Sequence, residues 1–305
     1  MKRTTLLSAV FLTLLLAVTS GVLGQSSEQI ETSKASSAEE EGIKGVGKRS
    51  RFTRLVSAEQ LERAGAQQFN EMKRQAARKQ ALAPATHPQV IRLRSIAQKI
   101  IPFTYRWNER AKLWQWEVNV FASSQVNAFC LPGGKIVFFT GILEKLKLTD
   151  DEAAMIMGHE IAHALREHAR ERMGKQMATQ LGAEAISRSF GLGDLGRAGV
   201  NIGANLISLK FGREDESEAD LVGLDLAARA GYDPRAGITL WQKMAQVNTG
   251  APPEWLSTHP AGSNRIAEIT KRLSEVMPLY ARTQGKTVDQ LPPFKTNMEG
   301  IKPVN

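Results

Sequence analysis

The sequence predicts an α+β fold, mainly helical, with one small antiparallel β-sheet or hairpin. Three observations predict it. Aromatic and β-branched residues concentrate in one stretch, "WQWEVNVFA" (114–122) and "NAFCLPGGKIVFFTG" (127–141). Elsewhere apolar residues recur at helical spacing. One helix, over "DEAAMIMGHEIAHAL" (151–165), is apolar nearly all round and belongs in the interior. With 305 residues and 42% apolar content, the chain can bury one sizeable core.

The elements follow in chain order. Residues 1–24 carry Lys2 and Arg3, an apolar run from Leu6 to Val18 and small residues before Gln25. That is the pattern of a cleaved export signal, and the run is short for a membrane span. Residues 25–56, rich in Ser, Glu, Gly and Lys, read as a flexible linker. Its basic run, 44–54, is either solvated or offers a peripheral contact to an anionic membrane face. A domain over 57–280 opens with two amphipathic helices, near 57–81 and 87–100. Pro132, Gly133 and Gly134 between apolar runs mark a tight hairpin turn. From Ile142 to a last helix near 263–277 the periodicity is helical. Residues 281–305 read as a polar tail. "GLGDLG" (191–196) matches a dinucleotide fingerprint, but no strand precedes it, so it reads as a break between helices.

The net charge of +9 favours solubility and affinity for anions. It does not make a nucleic-acid binder, because no finger spacing, RNP-like strand or continuous basic helix accompanies it. The one cysteine, Cys130, cannot form an internal disulfide and reads as a small buried side chain.

The chemistry concentrates in "GHEIAHALREH" (158–168). His159 and His163 lie four apart on one helical face, with Glu160 at its edge. Two buried imidazoles and a buried carboxylate are costly unless coordinated, and a metal answers all three costs. With 5 His in the chain, chance yields this pattern in fewer than about one such sequence in a hundred. Imidazole and carboxylate donors suit zinc, one per chain.

A catalytic zinc needs a third protein ligand. Arg166 and Ala169 occupy the places where a metzincin has Gly and His. His168, about 140° round a continuous helix from His163, faces elsewhere and is exposed. Glu184 has a thermolysin-like spacing, but Arg188, four further on, cannot accept a hydrogen bond from a ligand histidine. In "REDESEADLVGLDLAARAGYDP" (213–234), Glu216 can coordinate, and Asp220, one turn on, can accept the N–H of a ligand histidine. This candidate alone supplies both.

These motifs and the hairpin "NAFCLPGGKIVFFTGIL" together resemble the gluzincin metallopeptidase family of HtpX, the CAAX prenyl proteases and the periplasmic peptidases BepA and LoiP. The resemblance covers roughly 90–275. It implies a zincin-like metalloprotease core with a buried HExxH helix, in which His159, His163 and Glu216 hold zinc, Glu160 is the catalytic base and Asp220 supports a ligand. It also implies that the strand at Asn127, Ala128 and Phe129 lies beside the zinc and binds substrate as an added strand. His259 and Arg265, in "STHPAGSNRIAEI" (257–269), fall at the spacing of a family His and Arg near the zinc. His259 is then either an oxyanion donor or a gate filling the open coordination position. The chain resembles the family's soluble branch, which implies a periplasmic or secreted location and polypeptide substrates from unfolded or misassembled exported proteins; no dedicated partner domain such as BepA carries is seen in the sequence. An assembly or chaperone-like factor that rarely cleaves is the alternative; an intact Glu160 favours the enzyme.

Overall fold

A computed structural model gives the architecture for residues 41–189, 206–247, 254–260 and 264–305. Within the unit Gly42–Asn305, helix α1 (Ala58–Arg78) starts at Ser57, whose hydroxyl accepts the Gln60 N–H. Helix α2 (Pro88–Ile100) starts at a proline, and His87 Nδ1 accepts the Gln89 N–H just before it.

The sheet has strands β1 (Glu117–Phe121), β2 (Ala128–Leu131) and β3 (Lys135–Phe139) in the order β1-β3-β2. Strands β2 and β3 form the expected hairpin, turned by Gly133 (φ 87°) and Gly134 (φ 77°), conformations that side chains disfavour. The sheet is nevertheless mixed rather than antiparallel, because β1 joins β3 in parallel register, Glu117 opposite Lys135. The reason lies in β3. Ile136, Val137 and Phe138 are all fully buried, so this strand is apolar on both faces and takes the centre. One face (Val118, Val120, Ala128, Ile136, Phe138) joins the main core; the other (Phe121, Phe129, Leu131, Val137) packs with Leu61 and Phe69 of α1.

A short helix, α3 (Thr140–Lys145), leads to α4 (Asp150–Leu165). A capping box starts α4: Thr149 Oγ1 accepts the Glu152 N–H at 3.2 Å, and the Glu152 carboxylate accepts the Thr149 N–H at 2.9 Å. The remaining helices are α5 (His168–Ser189), α6 (Arg213–Arg229), α7 (Ala236–Val247), α8 (Glu254–Thr258) and α9 (Arg265–Thr283). No helix among the described residues is long and apolar enough to cross a membrane.

Two segments depart from expectation. The described part of the expected flexible linker, 41–56, is packed from residue 42 on: Ile43 and Val56 are buried, the Ile43 N–H bonds Asp225, and Arg51–Leu55 forms a 3-10 turn. Two apolar side chains and a buried carboxylate partner outweigh its polar composition. The expected polar tail is also held down. Phe294 is buried and pairs with Val304, while Thr296 and Asn297 bond the fully buried Glu152–Lys243 ion pair, 2.5 Å between charged atoms. The expected export signal at 1–24 and the break at 191–196 lie outside the described residues.

Candidate metal centre

The centre begins with a glycine contact. A Cβ on Gly158 of α4 would stand 2.9 Å from Gly223 O of α6, and one on Gly223 would stand 2.9 Å from His159 N. The two helices therefore cross backbone against backbone. That crossing sets His159 and His163 of α4 opposite Glu216 and Asp220 of α6.

Four donors converge there, all buried: His159, His163, Glu216 and His259, their ligand atoms within 4.8 Å of one another. His163 Nε2 lies 3.1 Å from His159 Nε2 and 3.4 Å from Glu216 Oε1. His259 Nδ1 lies 3.3 Å from His159 Nε2 and 3.0 Å from Glu216 Oε1. Three lone-pair nitrogens turned on one another and on a carboxylate cannot all be satisfied by hydrogen bonds. Four tetrahedral donors about 2.0–2.1 Å from a common centre stand roughly 3.3–3.4 Å apart, which is the size of these separations. The donor set therefore fits a divalent metal.

The Glu216 carboxylate and the His163 imidazole are already in ligand form, whereas His159 keeps a proton that a metal would have to displace. Burial pushes His163 well below the usual imidazole value. Burial opposes charge on His159 too, but the Asp220 and Glu216 carboxylates hold its pKa up to about 9. Burial opposes ionisation of Glu216, yet hydrogen bonds from His159, His163 and His259 push it far below the ordinary carboxylate range. An ionised carboxylate beside a neutral imidazole is what a divalent cation requires. Asp220 accepts from His159 Nδ1 at 3.0 Å. Arg265 donates to both carboxylates, Nε to Asp220 Oδ2 at 2.6 Å and Nη1 to Glu216 Oε2 at 2.8 Å, with its guanidinium 4.0 Å from the Trp241 ring centroid. A cation at a helix start, unfavourable to the dipole, is explained by these two anions.

Glu160 lies beside the donors. Its Oε1 accepts the Trp255 indole N–H at 2.6 Å and lies 3.6 Å from His259 Nε2. Trp255 stacks on His259, 5.0 Å between centroids, and its backbone N–H bonds Val126 O just ahead of β2.

The structure narrows the expected substrate strand. β2 is an edge strand, but Asn127 O is bonded to Phe139 N, and in that register Phe129 and Leu131 also turn their backbone groups toward β3. The Phe129 side chain is buried against α1. Ala128 and Cys130 are left with backbone groups directed to the edge. The Cys130 thiol is pushed up by burial and by the Glu160 charge.

His168 is a correction. It is not exposed but fully buried, with Nδ1 2.9 Å from His163 Nδ1. Helix α4 ends at Leu165, and Glu167 takes φ 61°, so the 140° projection of a continuous helix does not apply. Trp255 and Phe211, which stacks on His163 at 4.0 Å, were not expected at the site. Their closeness in sequence to His259 and Glu216 was the one signal for them.

Comparison with known proteins follows this geometry. The model of a family described as Peptidase family M48 matches residues 91–273. The chain is 39% identical over 176 residues to the mitochondrial metalloendopeptidase OMA1 of Arabidopsis thaliana, covering 56% of this chain and 35% of that protein. It is 31% identical over 225 residues to OMA1 of Saccharomyces cerevisiae, covering 67% and 61%. It is 29% identical over 157 residues to the metalloprotease LoiP of Escherichia coli, covering 51% and 62%. The chain thus spans less than two thirds of the length of these relatives. The expected periplasmic or secreted location is overturned by the relatives named as mitochondrial, from plants, yeasts and vertebrates, and these give the expected export signal no support.

Proposed function

Because the chain belongs to peptidase family M48 and is in class a metalloendopeptidase, we propose that it is a zinc-dependent endopeptidase with Glu160 as its general base. The observation that carries this is the convergence of His159, His163 and Glu216, with Glu160 next to His159 on the same helix. Three imidazoles and one carboxylate are a donor set suited to zinc. When bound, zinc supplies Lewis acidity toward a peptide carbonyl and lowers the pKa of water toward about 7. Glu160 takes the proton from the attacking water and returns it to the leaving amine, while Trp255 holds its Oε1 so that the carboxylate stays aimed. Asp220 and Arg265 fix the His159 ring and Glu216.

His259 is read as a gate. Its Nδ1 stands among the ligand atoms at 3.0 and 3.3 Å, where an oxyanion donor would leave room for substrate. An extended polypeptide adds to the β2 edge through the backbone of Ala128 and Cys130, so main-chain bonds rather than side chains select it.

Casein cleavage, with and without chelator, tests the reading. Glu160→Gln should bind one equivalent of zinc and lose cleavage; cleavage at the parent rate would refute it. His259→Ala should raise basal cleavage, whereas a fall of roughly 10²-fold in kcat would make it an oxyanion donor instead.

A further inference from the structure

The two histidines of the zinc helix are steadied in different ways. His159 Nδ1 meets the carboxylate of Asp220 directly. His163 Nδ1 meets another histidine, His168 Nδ1, at 2.9 Å. His168 Nε2 in turn lies 2.8 Å from Glu218 Oε2. Glu218 Oε1 accepts from Arg166 Nη2 at 2.8 Å, and the same guanidinium nitrogen bonds Gly47 O of the packed N-terminal segment. His163, His168 and Arg166 are all buried.

Counting hydrogens along this chain limits the tautomers. The Glu218 carboxylate, paired with the Arg166 guanidinium at 2.8 Å, can only accept. His168 Nε2 therefore carries a hydrogen. Between two facing ring nitrogens there is room for one hydrogen, and the arrangement that suits a metal puts it on His163 Nδ1. That leaves His163 Nε2 as a lone pair turned toward His159 Nε2 and Glu216. The opposite arrangement would place an N–H among the metal donors.

We propose that Glu218 and His168 are positioning residues that hold His163 in the tautomer and ring orientation needed for metal binding. Helix α6 then serves the centre three times at alternate positions. Glu216 ligates, Asp220 orients His159 directly, and Glu218 orients His163 through His168. The intermediary is needed because Glu218 is two residues from Glu216, roughly 200° round the helix, and cannot reach His163 from the ligand face. The inference rests on the metal reading proposed above.

The test is zinc affinity by competition with a chromophoric chelator, together with long-range 15N NMR of the metal-free protein, whose 5 histidines make assignment tractable. His168→Leu removes both hydrogen bonds. It should weaken zinc binding by roughly 10- to 100-fold, the usual effect of losing such an outer partner. His168→Asn puts an amide oxygen where Nδ1 stands and should stay within about threefold of the parent. Glu218→Ala, at a half-buried site, should weaken zinc and let the His163 spectrum show both tautomers. The double variant should be no worse than His168→Leu, because the two act as one unit. If His168→Leu does not fold, Glu218→Ala alone decides. The proposal falls if zinc binding and the His163 tautomer are unchanged in these variants, or if Asn is as poor as Leu, which would mean simple packing. A parent that binds no zinc would overturn the metal reading and the relay with it, whereas tight binding in parent and variants alike removes the relay only.

Discussion

Gly223→Ala is the most informative single change, because it adds one methyl where helices α4 and α6 touch. The new Cβ would stand 2.9 Å from His159 N, 3.1 Å from Gly158 C and 3.2 Å from His159 Cα. These neighbours are backbone and cannot swing aside, so the helices must part by about 0.5 Å to reach ordinary contact near 3.4 Å. Overpacking of this kind costs about 1–3 kcal/mol, and the better helix propensity of alanine returns about 1 kcal/mol, leaving a net loss of roughly 0–2 kcal/mol. The larger effect falls on the metal. His159 and His163 ride on α4 and Glu216 on α6, and a shift of about 0.5 Å exceeds the roughly ±0.2 Å tolerance of a ligand set. Zinc affinity should therefore fall by about 10- to 100-fold, measured by chelator competition, while the chelated protein loses only a few degrees in Tm. Gly182→Ala is the control: nothing lies within 4 Å of its Cβ, so it should stabilise slightly and leave zinc untouched. Parent-like zinc affinity in Gly223→Ala would refute the claim that this crossing sets the ligand spacing.

Three further outcomes follow from the geometry. Trp255→Phe keeps the ring on His259 but deletes the donor to Glu160; kcat/KM should drop about tenfold with zinc content unchanged, and an unaltered rate would show that Glu160 needs no such support. Burial pushes the Asp151 carboxyl from 3.8 up to about 6, so its stabilising contribution is complete below pH 3.8 and lost as pH rises through about 6. Asp151→Asn still accepts the Asp233 N–H, and its unfolding free energy should gain on the parent from pH 4 to pH 7, by up to about 3 kcal/mol; a pH-independent difference would contradict this. Lys243→Met strands the buried Glu152 charge and should cost about 3–5 kcal/mol in urea unfolding, with Glu152→Gln in the same chain recovering part of it; equal loss in single and double variants would count against the ion pair.

How much could be read beforehand depended on the range of the interaction. His159, Glu160 and His163 were legible because a helix places them by local geometry, Asp220 because its apolar neighbours demand burial, and Glu216 because it lies one turn before Asp220 on the same face. The hairpin was legible for the same reason, its turn glycines and both strands being adjacent in sequence. The parallel partner of β3 was not, since β1 reaches it across the intervening strand. His168 was misjudged because its direction follows from a break at Glu167, where a non-glycine residue takes a positive φ without a local signal. Trp255 could be seen as an aromatic near His259, but its hold on Glu160 spans 95 residues. The packed stretches at 42–56 and 291–305 looked like solvent-loving chain because composition averages over the few side chains, Ile43, Val56 and Phe294, that anchor them.

The spread of the donors along the chain has a polymer consequence. Glu216 and His259 are 43 residues apart, and His159 and His259 are 100 apart. Closing a loop of 43 residues costs an unfolded chain about 4 kcal/mol at 25 °C in the chain-entropy treatment of closed loops, a cost the folded chain has already met before an ion binds. A chain with one cysteine has no internal disulfide to close such a loop. A metal held there would add its binding free energy to the folded state alone, so chelation should expose the protein to proteolysis even where its active site is not engaged.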